Sequence, residues 1–161
     1  MDEEYLRIFN LYKNDIYRLA YSYTKNIVDS DDVVQNVFVK LYKKQKILNK
    51  SDIEIKKWLI KVTINDCKTL FLSSWRRKVV SLSEKQENTI ASNDKDYNLL
   101  DEINNLSKTE RMIIFLFYYE NYKIGEISKI LGKSETNIQT ILYRARNKLK
   151  EILKEENLNE K

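Results

Sequence analysis

Side chains able to read DNA bases are concentrated near the C-terminal end of this sequence. Amide and hydroxyl groups come first and basic groups come later: Thr136, Asn137, Gln139, Thr140, Tyr143, Arg144, Arg146 and Lys148. Amides and hydroxyls hydrogen-bond to base edges in a DNA groove, whereas lysine and arginine bind phosphates. The order therefore indicates sequence-selective contact with duplex DNA, and an ordinary solvated helix face is the alternative.

The residues around this polar set predict a helix-turn-helix, which would place it in the major groove. Ile124, Ile127 and Leu131 repeat at helical spacing, and Gly132 follows them as a permissive turn residue. Ser134 is then a good N-cap for the second helix. The buried stripe of that helix is predicted to be Ile138, Ile141, Leu142, Ala145 and Leu149.

Composition favours an all-α protein without catalytic machinery. The 161 residues include two glycines and no proline, with 42% hydrophobic and 33% charged side chains. There is no histidine and only one cysteine, Cys67. That inventory excludes Ser-His-Asp triads, Cys-His dyads and Cys/His metal clusters. We therefore expect a protein that is not an enzyme and that carries no cofactor and no metal.

The sequence contains no pattern that predicts export or membrane insertion. Residues 1–4 are acidic after the initial methionine, unlike a signal peptide. The longest apolar run, residues 112–119, is too short to span a bilayer. A single cysteine is consistent with a reducing compartment. These features predict a cytoplasmic protein that is not integral to a membrane.

A polar stretch divides the sequence into two blocks. Residues 81–97 hold few large apolar side chains and no helical repeat, which predicts a solvent-exposed linker. The predicted domains are therefore residues 1–80 and residues 98–161, the second containing the helix-turn-helix. The net charge of +5 arises mainly from the first block, and such an excess weakly favours a polyanionic partner.

Three or four helices are predicted in the first block. An apolar stripe marks the first: Tyr5, Phe9, Tyr12, Ile16, Leu19 and Tyr23. The second, capped by Asp29 or Ser30, has another: Val33, Val34, Val37, Phe38, Leu41 and Tyr42. The third begins at a Ser51–Glu54 capping box and has a further stripe: Ile55, Trp58, Leu59, Val62, Leu70 and Phe71. Trp75 is followed by a basic cluster, Arg76, Arg77 and Lys78. Its ring is expected either to stack beside that cluster or to pack in the core.

The second block begins with a short apolar set: Leu99, Leu100, Ile103 and Leu106. A capping box from Ser107 to Glu110 predicts the start of an apolar helix over residues 108–119. The last helix of the helix-turn-helix is predicted to continue to about Leu153.

Three segments in this order resemble bacterial sigma factors of the sigma-70 family, in the extracytoplasmic-function group. Residues 31–42 look like the polymerase-docking helix, and residues 58–68 are similar to the promoter-melting segment. Residues 106–111, followed by residues 122–127, look like the C-terminal domain. The recognition helix departs from the common pattern at Asn137, Gln139 and Ile141, which implies an unusual DNA sequence preference.

The resemblance implies a subunit that binds core RNA polymerase, recognises promoter DNA and helps to open it, while polymerase performs the chemistry. An anti-sigma factor is a further candidate partner. The residues implied to dock on polymerase are Asp32, Gln35, Phe38 and Lys40. Phe38 also fits the apolar stripe of its helix, so core packing is the alternative for that residue.

The resemblance also implies two sets of DNA-binding residues. Those expected at the minus-ten element are Lys61, Thr63, Asn65, Lys68, Arg76, Arg77 and Lys78. Those expected at the minus-thirty-five element are Ser134, Thr136, Asn137, Gln139, Thr140, Tyr143, Arg144 and Lys148. For Asn65 the alternative is a helix-face amide, and for the basic cluster it is a solvated face.

Two other functions remain open from the residues alone. A stand-alone transcriptional regulator could join the same helix-turn-helix to an unrelated helical dimerisation domain and bind a palindrome without polymerase. A helical adaptor could bind only protein, with its charges serving to solvate it.

Overall fold

The computed structural model describes residues 2–78 and 105–159, and every regular element within them is helical. The chain divides into two compact units, Met1–Thr89 and Ile90–Lys161. The all-α fold class predicted from the sequence is confirmed. The predicted linker over residues 81–97, and the apolar residues Leu99, Leu100 and Ile103, lie outside the described residues.

The described part of the N-terminal unit, residues 2–78, contains three long helices and one short one. They are α1 (Asp2–Thr24), α2 (Ile27–Lys43), α3 (Gln45–Leu48) and α4 (Asp52–Lys78). The three long helices pack against one another in pairs. The core between them is mainly aliphatic and includes the rings of Tyr12 and Phe38: Ile8, Tyr12, Ile16, Leu19, Val33, Val37, Phe38, Leu41, Ile55, Leu59, Ile60 and Ile64. Burying each such side chain contributes about 1.5–3 kcal/mol to folding.

The N-cap of α2 differs from the prediction. Asn26, and not Asp29 or Ser30, caps the helix: its side chain accepts a hydrogen bond of 3.0 Å from the main-chain N–H of Asp29. Lys25 has a φ of 52°, which turns the chain sharply between α1 and α2. Ser30 therefore lies inside the helix, where its buried hydroxyl donates to the Asn26 carbonyl at 2.6 Å.

The start of α4 is as predicted, but its inward face is not. Ser51 and Glu54 form the expected capping box, with Ser51 N–H donating to Glu54 Oε2 at 3.2 Å. Ile60, Ile64 and Cys67 are buried on α4 although the sequence interpretation omitted them. Four residues predicted to be buried there are not: Trp58, Val62 and Leu70 are half-buried, and Phe71 is exposed. Tyr42 of α2 is also exposed, against the prediction.

In the described part of the C-terminal unit, residues 105–159, the first helix is α5 (Lys108–Ile114), which continues into a π-helical turn (Phe115–Tyr119). The Ser107–Glu110 capping box is present as predicted, and so is the helix from residue 108 to 119. The π-helical turn is the difference, and it ends where Asn121 takes a φ of 56°. Two further helices follow, α6 (Ile124–Leu131) and α7 (Glu135–Asn159). The main chain of α7 thus extends about a turn and a half beyond the predicted end at Leu153.

Apolar side chains from α5, the π-helical turn, α6 and α7 form the core of this unit. They are Leu106, Met112, Ile113, Ile114, Leu116, Ile127, Leu131, Ile138, Leu142 and Ala145. Other members of the predicted stripes are half-buried: Ile124, Ile141 and Leu149. In the part of the chain that the structure describes, no helix has the length and apolar character needed to cross a membrane.

Candidate nucleic-acid interface

The turn between α6 and α7 has the local geometry of the predicted helix-turn-helix. Gly132 ends α6 in the left-handed region, with a φ of 65°, which favours glycine. The hydroxyl of Ser134 accepts a 3.1 Å hydrogen bond from the Asn137 N–H and so caps α7. A Cβ added to Gly125 of α6 would lie 3.1 Å from Glu135 Oε1, so the two helices approach closely here.

The outward face of α7 carries the polar side chains that the sequence predicted for base reading. Six of them are exposed: Thr136, Asn137, Gln139, Thr140, Tyr143 and Arg144. We call these six residues the recognition face. Thr140 donates its hydroxyl proton to the Thr136 carbonyl at 3.0 Å, so only its oxygen lone pairs remain to accept a bond from a base. Ser134 is exposed, but its hydroxyl is engaged in the cap.

Lys148, another member of the predicted set, is exposed but forms an ion pair. Its Nζ lies 2.8 Å from Oε1 and 3.0 Å from Oε2 of Glu110, a residue only 8% exposed. This ion pair gives Lys148 a structural role, and its assignment to a phosphate of the minus-thirty-five element stays a prediction. Lys148 and Glu110 are 38 positions apart in the sequence. Helical periodicity does not predict a contact between residues that far apart.

The electrostatics of Glu110 reflect this environment. Burial by itself raises the pKa of the Glu110 carboxyl, but hydrogen bonds from Lys148 and from the Ser107 N–H outweigh burial. The resulting pKa lies below the usual value for glutamate. Glu110 is therefore charged at neutral pH and remains a strong acceptor for the cap of α5.

The predicted polymerase-docking residues divide into exposed and buried ones. Asp32 and Gln35 are exposed on α2, as expected. Phe38 is 2% exposed and packs edge-to-face on Phe9, with ring centroids 4.8 Å apart. A ring without accessible surface cannot contact a partner, so core packing holds for Phe38 and its docking assignment is corrected. Lys40 is exposed, but its ammonium pairs with Oδ1 of Asp66 on α4.

Val39 is a surface residue that the sequence interpretation missed. It is 49% exposed on α2 and follows Gln35 by four positions, which places both on the face that carries Asp32. The signal was present in the sequence, because Val39 falls outside the helical spacing of the buried residues Val33, Val37 and Leu41. An exposed valine beside an acid and an amide gives this face an apolar centre.

The predicted minus-ten residues are also divided by the structure. Lys61, Asn65 and Lys68 are exposed and spaced by four and three, so they share one face of α4. Thr63 is fully buried, and its hydroxyl donates to the Leu59 carbonyl at 2.7 Å. Its DNA-binding assignment is therefore corrected to a structural role.

The same face continues to Leu72, which is 61% exposed and was not singled out from the sequence. The side chains of Trp75 and of the basic cluster, Arg76, Arg77 and Lys78, lie outside the described residues.

Comparisons with known proteins support the same two-part organisation. Residues 8–77 match the family model described as Sigma-70 region 2, and residues 97–149 match that described as Sigma-70, region 4. The chain is 29% identical over 154 residues to RNA polymerase sigma factor SigV of Bacillus subtilis (strain 168), covering 92% of this chain and 90% of that protein. It is 27% identical over 156 residues to ECF RNA polymerase sigma factor SigM of the same organism, covering 90% and 92%.

Among solved structures, the chain is similar to the sigma factor RpoE from Bartonella quintana, determined in complex with the anti-sigma factor NepR. The TM-score is 0.76 at 21% identity, covering 94% of this chain and 98% of that one. At this level of identity the likeness supports the fold.

Proposed function

Because this chain belongs to the sigma-70 family of RNA polymerase sigma factors, in its extracytoplasmic-function group, we propose that its two helical units divide promoter recognition between them. As a sigma factor the protein binds core RNA polymerase and directs it to promoter DNA. In our proposal residues 1–80 dock on polymerase and bind the minus-ten element, residues 98–161 bind the minus-thirty-five element, and residues 81–97 link them. The family is regulatory, and we infer that all phosphoryl chemistry belongs to polymerase.

The proposed polymerase contact is the docking face of α2, which we define as Asp32, Gln35 and Val39. All three are exposed on one side of the helix, while Val33, Val37 and Leu41 anchor the opposite side in the core. An apolar centre with polar neighbours is the usual composition of a protein–protein contact. Lys40 lies at the edge of this face, where its ion pair with Asp66 holds α2 to α4.

The proposed minus-ten contact is the melting face of α4, which we define as Lys61, Asn65, Lys68 and Leu72. The two lysines supply charge for phosphates, and the amide of Asn65 can both donate to and accept from a base edge. Opening a duplex exposes unstacked bases, and the exposed Leu72 provides apolar surface for a base to rest on. We propose that Arg76, Arg77 and Lys78, which follow this face in the sequence, add charge for phosphates.

The observation that carries the proposal is the recognition face of α7. Ile138, Leu142 and Ala145 are buried on one side of the helix, and the opposite side presents two amides, two threonines, Tyr143 and Arg144 to solvent. The left-handed turn at Gly132 and the Ser134 cap set the start of this helix relative to α6. We assign Asn137, Gln139 and Thr140 to base edges and Arg144 to a base edge or phosphate at the minus-thirty-five element.

Run-off transcription with purified core polymerase tests the function. We expect the protein to co-purify with core polymerase and to direct transcripts from a subset of genomic fragments. Joint replacement of Asp32, Gln35 and Val39 by alanine is expected to lower polymerase affinity at unchanged helicity. Asn65→Ala is expected to leave that affinity intact and to reduce permanganate reactivity of promoter thymines. Asn14→Ala, at an exposed position of α1, is the matched control for both variants.

A protein that binds DNA but neither co-purifies with polymerase nor supports run-off transcripts would contradict the proposal. That outcome would restore the stand-alone regulator, which is not favoured, because its N-terminal domain would have to be unrelated to the region 2 family that residues 8–77 match. We also propose an anti-sigma factor as a partner, since the similar sigma factor RpoE was determined in complex with the anti-sigma factor NepR. We further propose a cytoplasmic location, where polymerase acts.

A further inference from the structure

Polar contacts hold α7 on both sides of its buried stripe. Lys148 on one flank binds Glu110 at the start of α5, and Arg146 on the other flank binds Tyr118 in the π-helical turn at the end of the same segment. Two residues apart on an α-helix are separated by about 200° around its axis. The two side chains therefore leave α7 in opposite directions, and the segment from α5 to the π-helical turn spans the distance between them. We call these two interactions the flank contacts.

In the first flank contact, Glu110 is held by hydrogen bonds that do not involve Lys148. The main-chain N–H of Ser107 donates to Glu110 Oε2 at 2.8 Å, and the Glu110 N–H donates to the Ser107 hydroxyl at 3.2 Å. These bonds hold the carboxylate in the first turn of α5, where the helix dipole also favours negative charge. Lys148 thus pairs with an acceptor that the capping box holds in place.

The second flank contact combines a hydrogen bond with ring stacking. Nε of Arg146 donates to the hydroxyl of Tyr118, and the guanidinium carbon lies 5.4 Å from the Tyr118 ring centroid and 5.2 Å from that of Phe117. A planar cation held by two rings and one hydroxyl has little rotational freedom. The π-helical turn makes this possible, because it places Phe117 and Tyr118 at the end of α5 with their rings nearly perpendicular, at 78°.

Two contacts on opposite flanks add to apolar packing in fixing how far α7 is rotated about its own axis. Side-chain ends lie about 6 Å from the helix axis, so a rotation of about 10° moves them by about 1 Å. Hydrogen bonds to base edges tolerate only about 0.5 Å of spread in donor–acceptor distance. A small rotation of α7 would therefore weaken the base contacts of Gln139 and Thr140 while leaving longer-range phosphate attraction nearly intact.

We propose that Tyr118 and Glu110 are positioning residues for promoter recognition: through Arg146 and Lys148 they set the rotation of α7 and so determine how sharply the recognition face discriminates bases. The proposal rests on the proposed assignment of that face to the minus-thirty-five element. Neither Tyr118 nor Glu110 contacts DNA in this arrangement. Their effect is on the ratio of affinities for preferred and altered sequences and not on affinity in general.

The test measures binding of the full chain with core polymerase to promoters altered one base pair at a time across the minus-thirty-five element. We expect Tyr118→Phe, which removes only a hydroxyl, to reduce discrimination about fivefold at one or two positions while Tm changes little. Tyr119→Phe is the matched control, because this neighbouring ring stacks on Phe115. Lys148→Met is expected to reduce discrimination as well, Lys148→Arg to retain it, and Lys150→Met, at an exposed lysine of α7, to leave it unchanged.

A second comparison covers the case in which Tyr118→Phe also affects stability. If Tyr118 acts through Arg146, then Tyr118→Phe adds no further loss of discrimination to Arg146→Lys, whereas independent roles give additive losses. Additive losses, unchanged discrimination in Tyr118→Phe, or an equal loss of affinity for every sequence would each overturn the positioning proposal. Absence of any base preference in the unaltered protein would instead contradict the proposed role of the recognition face.

Discussion

Each unit contains a helix that we propose contacts a partner, and a lysine of that helix pairs with a largely buried carboxylate of another helix. The two carboxylates differ in how completely they are hydrogen-bonded. In the N-terminal unit Lys40 binds Oδ1 of Asp66, while Oδ2 is buried and has no hydrogen-bond partner among the described residues. In the C-terminal unit Glu110 accepts Lys148 on both oxygens and the Ser107 N–H as well. The same pair of residue types therefore occurs in two different settings.

This difference predicts which hydrogen bonds each carboxylate keeps when its lysine is removed. Glu110 would keep its bond to the Ser107 N–H, so the capping box would survive. Asp66 would keep no hydrogen-bond partner among the described residues on either oxygen, so a carboxylate in a side chain only 13% exposed would be left unpaired. An unsatisfied buried acceptor destabilises a protein more than a satisfied pair stabilises it. We therefore infer that α2 and α4 depend more on their ion pair than α5 and α7 do on theirs.

The largest expected effect comes from removing the lysine of the N-terminal pair. We expect Lys40→Met to lower the free energy of unfolding of the N-terminal unit by about 2 kcal/mol, because Asp66 is then buried without a partner. The half-exposed position of Lys40 keeps this figure below that of a fully buried pair. Both tryptophans, Trp58 and Trp75, lie in α4, so urea unfolding followed by tryptophan fluorescence reports on this unit alone.

Lys43→Met supplies the control, since Lys43 is exposed on the same helix one turn away. Its expected effect is within about 0.5 kcal/mol, as for most surface substitutions. Equal destabilisation by the two variants would mean that the Lys40–Asp66 pair contributes little to the free energy of unfolding. Lys40 would then return to the set of residues proposed to contact polymerase.

Removing both partners of the N-terminal pair is expected to restore part of the lost stability. In Lys40→Met/Asp66→Leu neither an isolated charge nor an unsatisfied acceptor remains, and the two side chains are replaced by apolar ones of similar size. We expect the free energy of unfolding of the double variant to be about 1 kcal/mol higher than that of Lys40→Met alone. A double variant that is less stable than the single one would show that Asp66 contributes through some other contact.

The local features of the fold were predictable, whereas these pairs were not. The capping boxes at Ser51 and Ser107 each follow from residues three positions apart, and the buried stripe of α7 follows from its helical repeat. The Lys40–Asp66 and Lys148–Glu110 pairs join residues 26 and 38 positions apart. They depend on how helices cross, and local spacing contains no information on crossing.

Two local predictions failed for reasons that are also physical. Asn26, Asp29 and Ser30 are all good N-cap residues, and only the left-handed turn at Lys25 decides that the helix starts after Asn26. Phe71 lies against the end of α1, where its ring packs edge-to-face on Tyr23 with ring centroids 6.5 Å apart, and it remains 42% exposed. Helix periodicity predicts which face is apolar but not where the neighbouring helices end.

A smaller effect is expected from removing the lysine of the C-terminal pair. We expect Lys148→Met to lower the free energy of unfolding of the C-terminal unit by about 1 kcal/mol, since Glu110 loses a charged donor but keeps Ser107. Far-ultraviolet circular dichroism measures this unit once the contribution of the N-terminal unit, followed by fluorescence, has been subtracted. A loss as large as that in Lys40→Met would contradict the difference drawn between the two carboxylates.

The smallest expected effect is a pH dependence that isolates the charge of Glu110. The folded state lowers the pKa of this carboxyl below its usual value of 4.5, so its charge stabilises the fold above that pH and the stabilisation is lost as pH falls through the lowered pKa. Glu110→Gln keeps the capping box, because glutamine serves equally well there, and removes only the charge.

We expect Glu110→Gln and the unaltered protein to differ by about 0.5–1 kcal/mol in unfolding free energy at pH 7. The difference is expected to shrink steadily below pH 4.5, while the fluorescence transition of the N-terminal unit stays the same in both at every pH. A difference in unfolding free energy that stays constant from pH 7 to pH 3 would show that the charge of Glu110 makes no contribution. The contrast between Glu110 and Asp66 would then come from packing and not from charge.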